Sequence, residues 1–268
     1  MKTTNETEVQ QHKGKHEARK TPKNARTTFL LSLLTLATGL FGQSAIPPGT
    51  ILPLQLNSSL NSRKSKPGQV VTARLMQDVR LPSGARIRAG SRAVGRVLEV
   101  VMARNGSGAK LSLQFDTLEV SRHRMPITTN LRALASMMEV DDAQVPKTGP
   151  DPGTSPSSWT TVQIGGDVVY RGGGPVTEGL QVVGTPAPNG VLVRIASQPG
   201  TKCRGDMDGN DQPQALWVFS ADACGIYGFH DLTIVHAGRS NPVGQITIAS
   251  ERSDFDVRSG SGFLLRTK

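Results

Sequence analysis

The amino-acid sequence predicts an all-β protein whose strands are short, mostly antiparallel and joined by tight turns. The chain of 268 residues holds 29 Gly and 17 Pro but only 4% aromatic residues, a composition more typical of turn-rich sheets than of helical bundles. Between residues 46 and 101, short apolar runs alternate with turns that contain Pro and Gly, which indicates several strands in succession. We expect an antiparallel, barrel-like N-terminal module closely associated with a second module that forms a β-sheet or sandwich.

The composition divides the chain into five segments. Residues 1–28 are basic, and residues 29–45 carry no charge. Residues 46–135 form the predicted barrel-like module. Residues 136–158, rich in Pro, Gly and Asp, are predicted to be a linker or a long loop. Residues 159–268 form the second β module and contain both cysteines.

The N-terminal segments have the layout of an export signal. Residues 29–41 are a mostly apolar stretch that follows the basic segment and precedes small residues, with cleavage expected near Ser44 or Ala45. A spanning helix needs about 20 apolar residues, which favours a cleaved signal over a signal anchor; a downstream translation start is a third interpretation. We therefore expect an exported protein in the periplasm, the outer envelope or the extracellular space. It would contact a membrane only through residues 29–45, if they are retained.

The first module is predicted to contain about six strands between residues 51 and 134. Residues 71–75 and 111–115 alternate apolar and polar side chains, so each presents one apolar face. Leu118 follows Phe115 after three residues, out of phase with the alternation. Such a shift of phase inside one strand requires a bulge or a turn near residues 116–117.

Turn and strand residues of the first module also carry a resemblance to a known family. They match a pattern of short turn motifs at Gly49, Thr50, Leu52, Pro53, Pro67, Gly68, Asp78, Val79, Ala89, Gly90, Ser91, Gly95 and Arg96. On these residues, the segment 46–101 resembles the C-terminal β-barrel domain of the membrane-bridging subunit of conjugal-transfer and type IV secretion systems. The resemblance implies a barrel-like fold and an envelope location, and it implies no catalytic residues.

The positive charge is concentrated in the first module. Residues 46–150 hold fifteen Lys and Arg against seven acidic residues, a balance of +8, whereas residues 151–268 hold nine against eleven, a balance of −2. The first module therefore either offers a basic face to an anionic polymer or carries arginines that simply occupy solvent-facing strand positions. Nucleic acid is disfavoured as a partner, because a single-strand groove needs aromatic rings to stack the bases and residues 46–150 contain only Phe115.

The second module is predicted to contain a further set of strands. The run from 215 to 219 is apolar on both faces, which predicts a central strand covered on both sides. The other predicted strands cover residues 191–196, 232–236, 245–249 and 262–266.

The two cysteines of the chain, Cys203 and Cys224, predict a disulfide in an exported protein. The alternative makes Cys224 a catalytic nucleophile with His230 or His236 as its base, but neither an orienting carboxylate nor a cause for a lowered thiol pKa is visible in the sequence. His230 and His236 could also share a zinc ion, although no third ligand lies at a suitable spacing.

Two further clusters are candidates for ligand binding. Asp206, Asp208 and Asn210 have the one-three-five spacing of a calcium loop, but the later positions of that motif are not met, so a solvated acidic loop is the default. Tyr227, Phe229 and His230 are candidate ligand-binding residues, with a role in the core as the alternative for the two rings. Calcium is the one cofactor that the sequence suggests.

The absence of a recognisable catalytic constellation favours a non-enzymatic exported protein with a structural, scaffolding or secretion-related role. Its partners would be envelope proteins or a second copy of the chain. The alternative is a glycan- or polymer-binding module, or a hydrolase, centred on residues 203–236. A weaker alternative is an accessory protein of DNA transfer.

Overall fold

The computed structural model describes residues 46–145, 159–166, 168–171, 177–178, 181–182, 185–187, 190–193, 199–201, 203 and 216–268. Nearly all regular structure in these residues is β-strand, which confirms the predicted all-β class. The predicted export segment, residues 1–45, and the candidate calcium residues, Asp206, Asp208 and Asn210, lie outside the described residues.

The first part of the described chain contains nine strands and a short helix. They are β1 (Ile51–Leu56), β2 (Leu60–Asn61), β3 (Val70–Leu75), β4 (Val79–Arg80), β5 (Arg86–Ile87), β6 (Arg92–Val101), β7 (Lys110–Val120), β8 (His123–Pro126), β9 (Thr129–Ala135) and α1 (Met137–Asp142). Six of these strands are four residues or longer, in agreement with the number predicted for residues 51–134.

The later part of the chain adds eleven strands to the described structure. They are β10 (Trp159–Val162), β11 (Val168–Arg171), β12 (Thr177–Glu178), β13 (Gln181–Val182), β14 (Thr185–Ala187), β15 (Gly190–Val193), β16 (Gly225–Tyr227), β17 (Leu232–Ala237), β18 (Ile246–Ser250), β19 (Asp256–Val257) and β20 (Gly262–Thr267).

Ten strands form one large mixed sheet. Its order is β16-β9-β20-β1-β3-β6-β7-β18-β17, with β8 paired to β7. Its pairings are antiparallel apart from that of β16 with β9, which is parallel. β17, at one end of this order, also approaches β9 near the other end, so the sheet curls until its ends come close. Strands predicted for the second module thus complete the sheet that residues 46–135 begin.

The interior of the curled sheet holds the main hydrophobic core. The rings of Phe115 on β7 and Phe263 on β20 meet edge to face, with centroids 6.0 Å apart and planes at 74°. Because β1, β3 and β6 separate β7 from β20 in the sheet order, this contact crosses the interior. Both side chains are almost fully buried, and burial of a side chain of this size stabilises the fold by roughly 1.5–3 kcal/mol.

A second core covers the outer side of β9 and β20. Ala133 on β9 and Leu264 on β20 pack with Val140 of α1 and with residues 216–219. Leu264 is fully buried on this side, while its neighbours Phe263 and Leu265 are fully buried in the main core. β20 is therefore covered on both faces.

The predicted change of phase in β7 is a β-bulge. Val94 pairs with Thr117 and Gly95 with Phe115, which leaves Asp116 as the additional residue. The bulge brings the two backbones together: a Cβ added to Gly95 would lie 1.9 Å from the carbonyl oxygen of Gln114. Glycine is required here because any side chain would force the two strands apart.

The prediction of a strand over residues 215–219 is wrong. Residues 216–219 form a tight turn in which the Leu216 and Phe219 backbones exchange hydrogen bonds of 3.2 and 3.0 Å. Trp217 has a φ of 57°, and its N–H donates to Oε1 of Gln77. The run is buried, as its apolar sequence implies, but it lies over the sheet instead of inside it.

The segment predicted to be a linker, residues 136–158, begins with the helix α1. Ser136 caps this helix, because its side chain accepts a hydrogen bond of 3.2 Å from the N–H of Glu139. The pair Ser136 and Glu139 has the spacing of a capping box, a signal that would have placed the helix from sequence. No helix in the described part of the chain has the length and apolar character needed to span a membrane.

Substitution of Gly95 by alanine is expected to destabilise the fold by at least about 2 kcal/mol, because the new Cβ meets backbone that cannot move without breaking the bulge. The matched control is Gly84→Ala, where the added Cβ meets open space and only the left-handed backbone, at a φ of 81°, opposes the change, by about 1–2 kcal/mol. Urea unfolding of both variants would measure the difference. A Gly95→Ala variant as stable as Gly84→Ala would contradict this account of the bulge.

Candidate functional site

The predicted disulfide between Cys203 and Cys224 is confirmed. The two Cα atoms lie 5.4 Å apart, the sulfurs are bonded, and Cys224 is almost fully buried. A sulfur bonded to another sulfur cannot act as a nucleophile, so the catalytic role considered for Cys224 is excluded in the oxidised protein.

The disulfide and nearby backbone hydrogen bonds attach Cys203 to the edge of the sheet. Gly200 donates its N–H to the carbonyl of Cys224 at 2.8 Å, and Thr201 and Ile226 exchange backbone hydrogen bonds of 2.9 and 3.1 Å. Gly225 has a φ of 89°, and a Cβ there would crowd the facing backbone at 2.9–3.0 Å. Residues 199–201 and Cys203 are thus held against β16, which itself pairs with β9.

Tyr227, one of the three candidate ligand-binding residues, lies beside a cavity. Its hydroxyl accepts a hydrogen bond of 3.1 Å from the N–H of Cys224, and burial of the ring raises its pKa above the ordinary value. Tyr227 packs against the second core, whereas Phe229 packs against the main core and His230 is exposed. The fold therefore separates the two rings.

The cavity beside Tyr227 has a volume of about 290 Å³ and lies under α1. Glu139 and Asp142 of the helix line it on one side, and residues 162–166 line it on the other. Among the described residues of its lining there is no lysine, arginine or histidine, so the charged side chains given there, Glu139 and Asp142, are hydrogen-bond acceptors. Such a lining matches ligands that carry hydroxyl or ammonium donors.

A second cavity, of about 200 Å³, lies where β17 approaches β9. Arg132, Arg239 and His236 line it together with apolar residues of both strands. Nδ1 of His236 is 2.7 Å from the carbonyl of Gln245 and 3.0 Å from the N–H of Gly238, so the ring fixes the turn that follows β17.

The zinc alternative finds no support in the described residues. Nowhere among them do three His, Cys, Asp or Glu side chains come together as a group that could hold a metal ion. His236 makes its hydrogen bonds to backbone in the turn after β17, whereas His230 is exposed before that strand.

Exposed arginines of the first module lie on the outer side of β3, β6 and β8. Arg92 and Arg124 both contact the carboxylate of Glu119, at 2.7 and 3.2 Å. Arg96 contacts Asp116, the bulged residue, at 3.2 Å. The pKa of Glu119 is lowered, and the largest cause is the hydrogen bond from the Arg92 side chain. Sequence reasoning located this charge but not its arrangement, which depends on strand register.

No protein-family model matches this sequence, and no curated protein or solved structure shows significant similarity to it. The resemblance of residues 46–101 to the secretion-system barrel therefore stays a prediction. The argument for function depends on the geometry of the chain itself.

Removal of the disulfide by the double substitution Cys203→Ala and Cys224→Ala is expected to lower the free energy of unfolding by about 3 kcal/mol, because the bond closes a loop between residues 21 apart. Denaturant unfolding with and without a reductant would measure this. The reductant should destabilise the wild-type protein and leave the double variant unchanged. Equal wild-type stability in both conditions would show that the bond contributes nothing.

Substitution of Tyr227 by phenylalanine is expected to change how stability depends on pH. Because folding raises the pKa of Tyr227, this residue's contribution to stability is constant below the ordinary tyrosine value, near 10, and is lost as the pH rises through the folded pKa. At neutral pH the variant should be about 1 kcal/mol less stable than wild type, because the hydrogen bond is missing. As the pH rises into the alkaline range, its free energy of unfolding should fall less than that of wild type. Denaturant unfolding between pH 8 and about pH 11 would test this; parallel curves would contradict it.

Proposed function

We propose that this protein is an exported, non-enzymatic β protein of the bacterial envelope or the extracellular space, with a structural or scaffolding role. The observation that carries the proposal is the Cys203–Cys224 disulfide, because such bonds persist in oxidising compartments outside the cytosol. The charge-free segment 29–45, read as a cleaved signal, supports the same location.

Binding, and not catalysis, is the activity that the described side chains favour. The cysteine pair is oxidised, and His236 makes its hydrogen bonds within a turn. The described lining of the cavity beside Tyr227 has two carboxylates but neither a nucleophilic cysteine nor a histidine. By contrast, the outer face of the sheet offers exposed arginines on a rigid support, which suits recognition of a partner.

The test is fractionation of cells that express the full chain, combined with mass spectrometry and thiol alkylation. We expect the protein in the exported fraction, with a mature N-terminus near residue 45 and both cysteines resistant to alkylation until a reductant is added. A Cys203→Ala variant is the matched control, since its remaining Cys224 should react once the protein is unfolded. An unprocessed chain in the cytosol with two reactive thiols would overturn the proposal.

A further inference from the structure

The outer face of the sheet carries a row of facing residues that crosses five strands. The strand register places Gln55, Arg74, Arg92, Glu119 and Arg124 opposite one another on β1, β3, β6, β7 and β8. We call this set the arginine row. Neighbouring strands lie about 4.8 Å apart, so the row presents its side chains at regular intervals across the strands.

A second row, two residues further along each strand, is uncharged. Thr72, Val94 and Thr117 face one another on β3, β6 and β7 and are half-buried. We call this set the floor row. Beyond it lies Arg96, four residues from Arg92 on the same strand, or about 13 Å away at the usual rise of a strand. The floor row is therefore an uncharged strip with the arginine row on one side and Arg96, flanked by Val70 and Gln114, on the other.

The arginines that border this strip outnumber their carboxylates. Glu119 is shared by Arg92 and Arg124, and Arg96 contacts Asp116. Arg74 donates to the side-chain amide oxygen of Gln55 at 3.2 Å and forms no ion pair with another described residue. Four arginines thus face two carboxylates, which leaves a balance of +2. Since guanidinium groups carry five donors each, most of the donors on this face stay available to a ligand.

These arginines are also accessible. The side chains of Arg92 and Arg96 are each 54% exposed and that of Arg124 is 71% exposed. Arg92 and Arg96 stand on β6, which is paired on both sides, so their positions are set by the sheet. A ligand laid on the floor row would meet them without a rearrangement of the backbone.

We propose that this face binds a linear acidic polysaccharide, which lies across the strands along the floor row with its carboxylates bonded to the bordering arginines. Guanidinium groups match carboxylates in planar, two-point hydrogen bonding. The spacing between strands is close to the length of one sugar unit, so two neighbouring units would meet Arg74 on β3 and Arg92 on β6. Thr72 and Thr117 add hydroxyl groups at the level where the sugar hydroxyls would lie.

The same face fits nucleic acid less well. Neither row contains an aromatic side chain, and Phe115, the aromatic residue of β7, is buried in the main core. Duplex DNA carries one phosphate charge per about 1.7 Å of its axis, a much higher density than a face with a balance of +2 would neutralise. Widely spaced carboxylates on a sugar chain match this charge better.

The inference uses the proposed envelope location only to select the class of polymer. The test is titration of the purified, disulfide-bonded protein with polygalacturonate at low and at physiological salt, with dextran, inorganic polyphosphate and a DNA duplex as comparison probes. We expect polygalacturonate to bind best and dextran to give no binding. Tighter binding of polyphosphate or DNA, or no binding of polygalacturonate, would overturn the proposal.

Variants locate the site. The double variant Arg74→Gln and Arg92→Gln should weaken the binding of polygalacturonate at least tenfold. The matched control is Arg258→Gln, an arginine that is 70% exposed near β19, and it should change the affinity less than twofold. Equal losses in both would show attraction by overall charge and would overturn the proposal. Thermal unfolding of each variant confirms that it is folded.

Failure here is distinct from failure of the proposed function. The titration uses purified protein and reports nothing on location, whereas fractionation and alkylation report nothing on the arginine row. A protein that is exported and oxidised but does not bind polygalacturonate would keep its envelope assignment and lose this site.

Discussion

The fold depends on the placement of its last strand. β20 pairs with β1 on one side and with β9 on the other, so the end of the chain joins its beginning to its middle. The side chain of Thr267 reinforces this closure: its hydroxyl donates to the carbonyl of Pro47 at 2.7 Å and accepts from the N–H of Thr50 at 2.9 Å. Without β20, the sheet would lose the strand that joins β1 to β9 and the ring that meets Phe115.

The two-sided burial of β20 also explains how the disulfide region is attached. Phe263 and Leu265 fill the interior, and Leu264 gives α1 and the turn at residues 216–219 an apolar surface to cover. β16 then continues the sheet along β9 and brings Cys224 to the place where Cys203 is bonded. The cross-link thus fixes Cys203 at an edge of the sheet, beside the three-residue strand β16.

Local features of this fold were predictable from the sequence, whereas pairings between distant segments were not. Apolar alternation located β3, β7, β17 and β18, a short apolar run located β20, and the phase shift before Leu118 located the bulge, because all of these are properties of one strand. Alternation does not identify a strand's neighbour, so the position of β20 between β1 and β9 was not foreseeable. The run at 215–219 was wrongly predicted to be a strand. A fully apolar sequence indicates burial on all sides, and both a central strand and a turn enclosed by a second core are buried in this way. The arginine row was unpredictable for the same reason as the sheet order. Its members are far apart in sequence, and only the pairing register of the strands brings them together.

The arginines of this protein fall into two groups that differ in how completely they are paired. Arg63 represents the first: it contacts Asp254, a carboxylate that also accepts hydrogen bonds from Ser62 at 2.8 Å and from the N–H of Ala103 at 3.0 Å. The hydrogen bond from Arg63, followed by that from Ala103, lowers the pKa of Asp254, and the group ties three loops together.

Arg74 represents the second group, since it stands on the outer face with an amide as its partner. Arginines that merely stabilised the sheet would be expected to alternate with carboxylates across the strands, because like charges directly opposite each other are destabilising. Arg74 instead faces Arg92 on the neighbouring strand. Arg80 and Arg86 face each other in the same way on β4 and β5. What distinguishes the pair of Arg74 and Arg92 is its place beside the uncharged floor row, where an anionic ligand would relieve the repulsion.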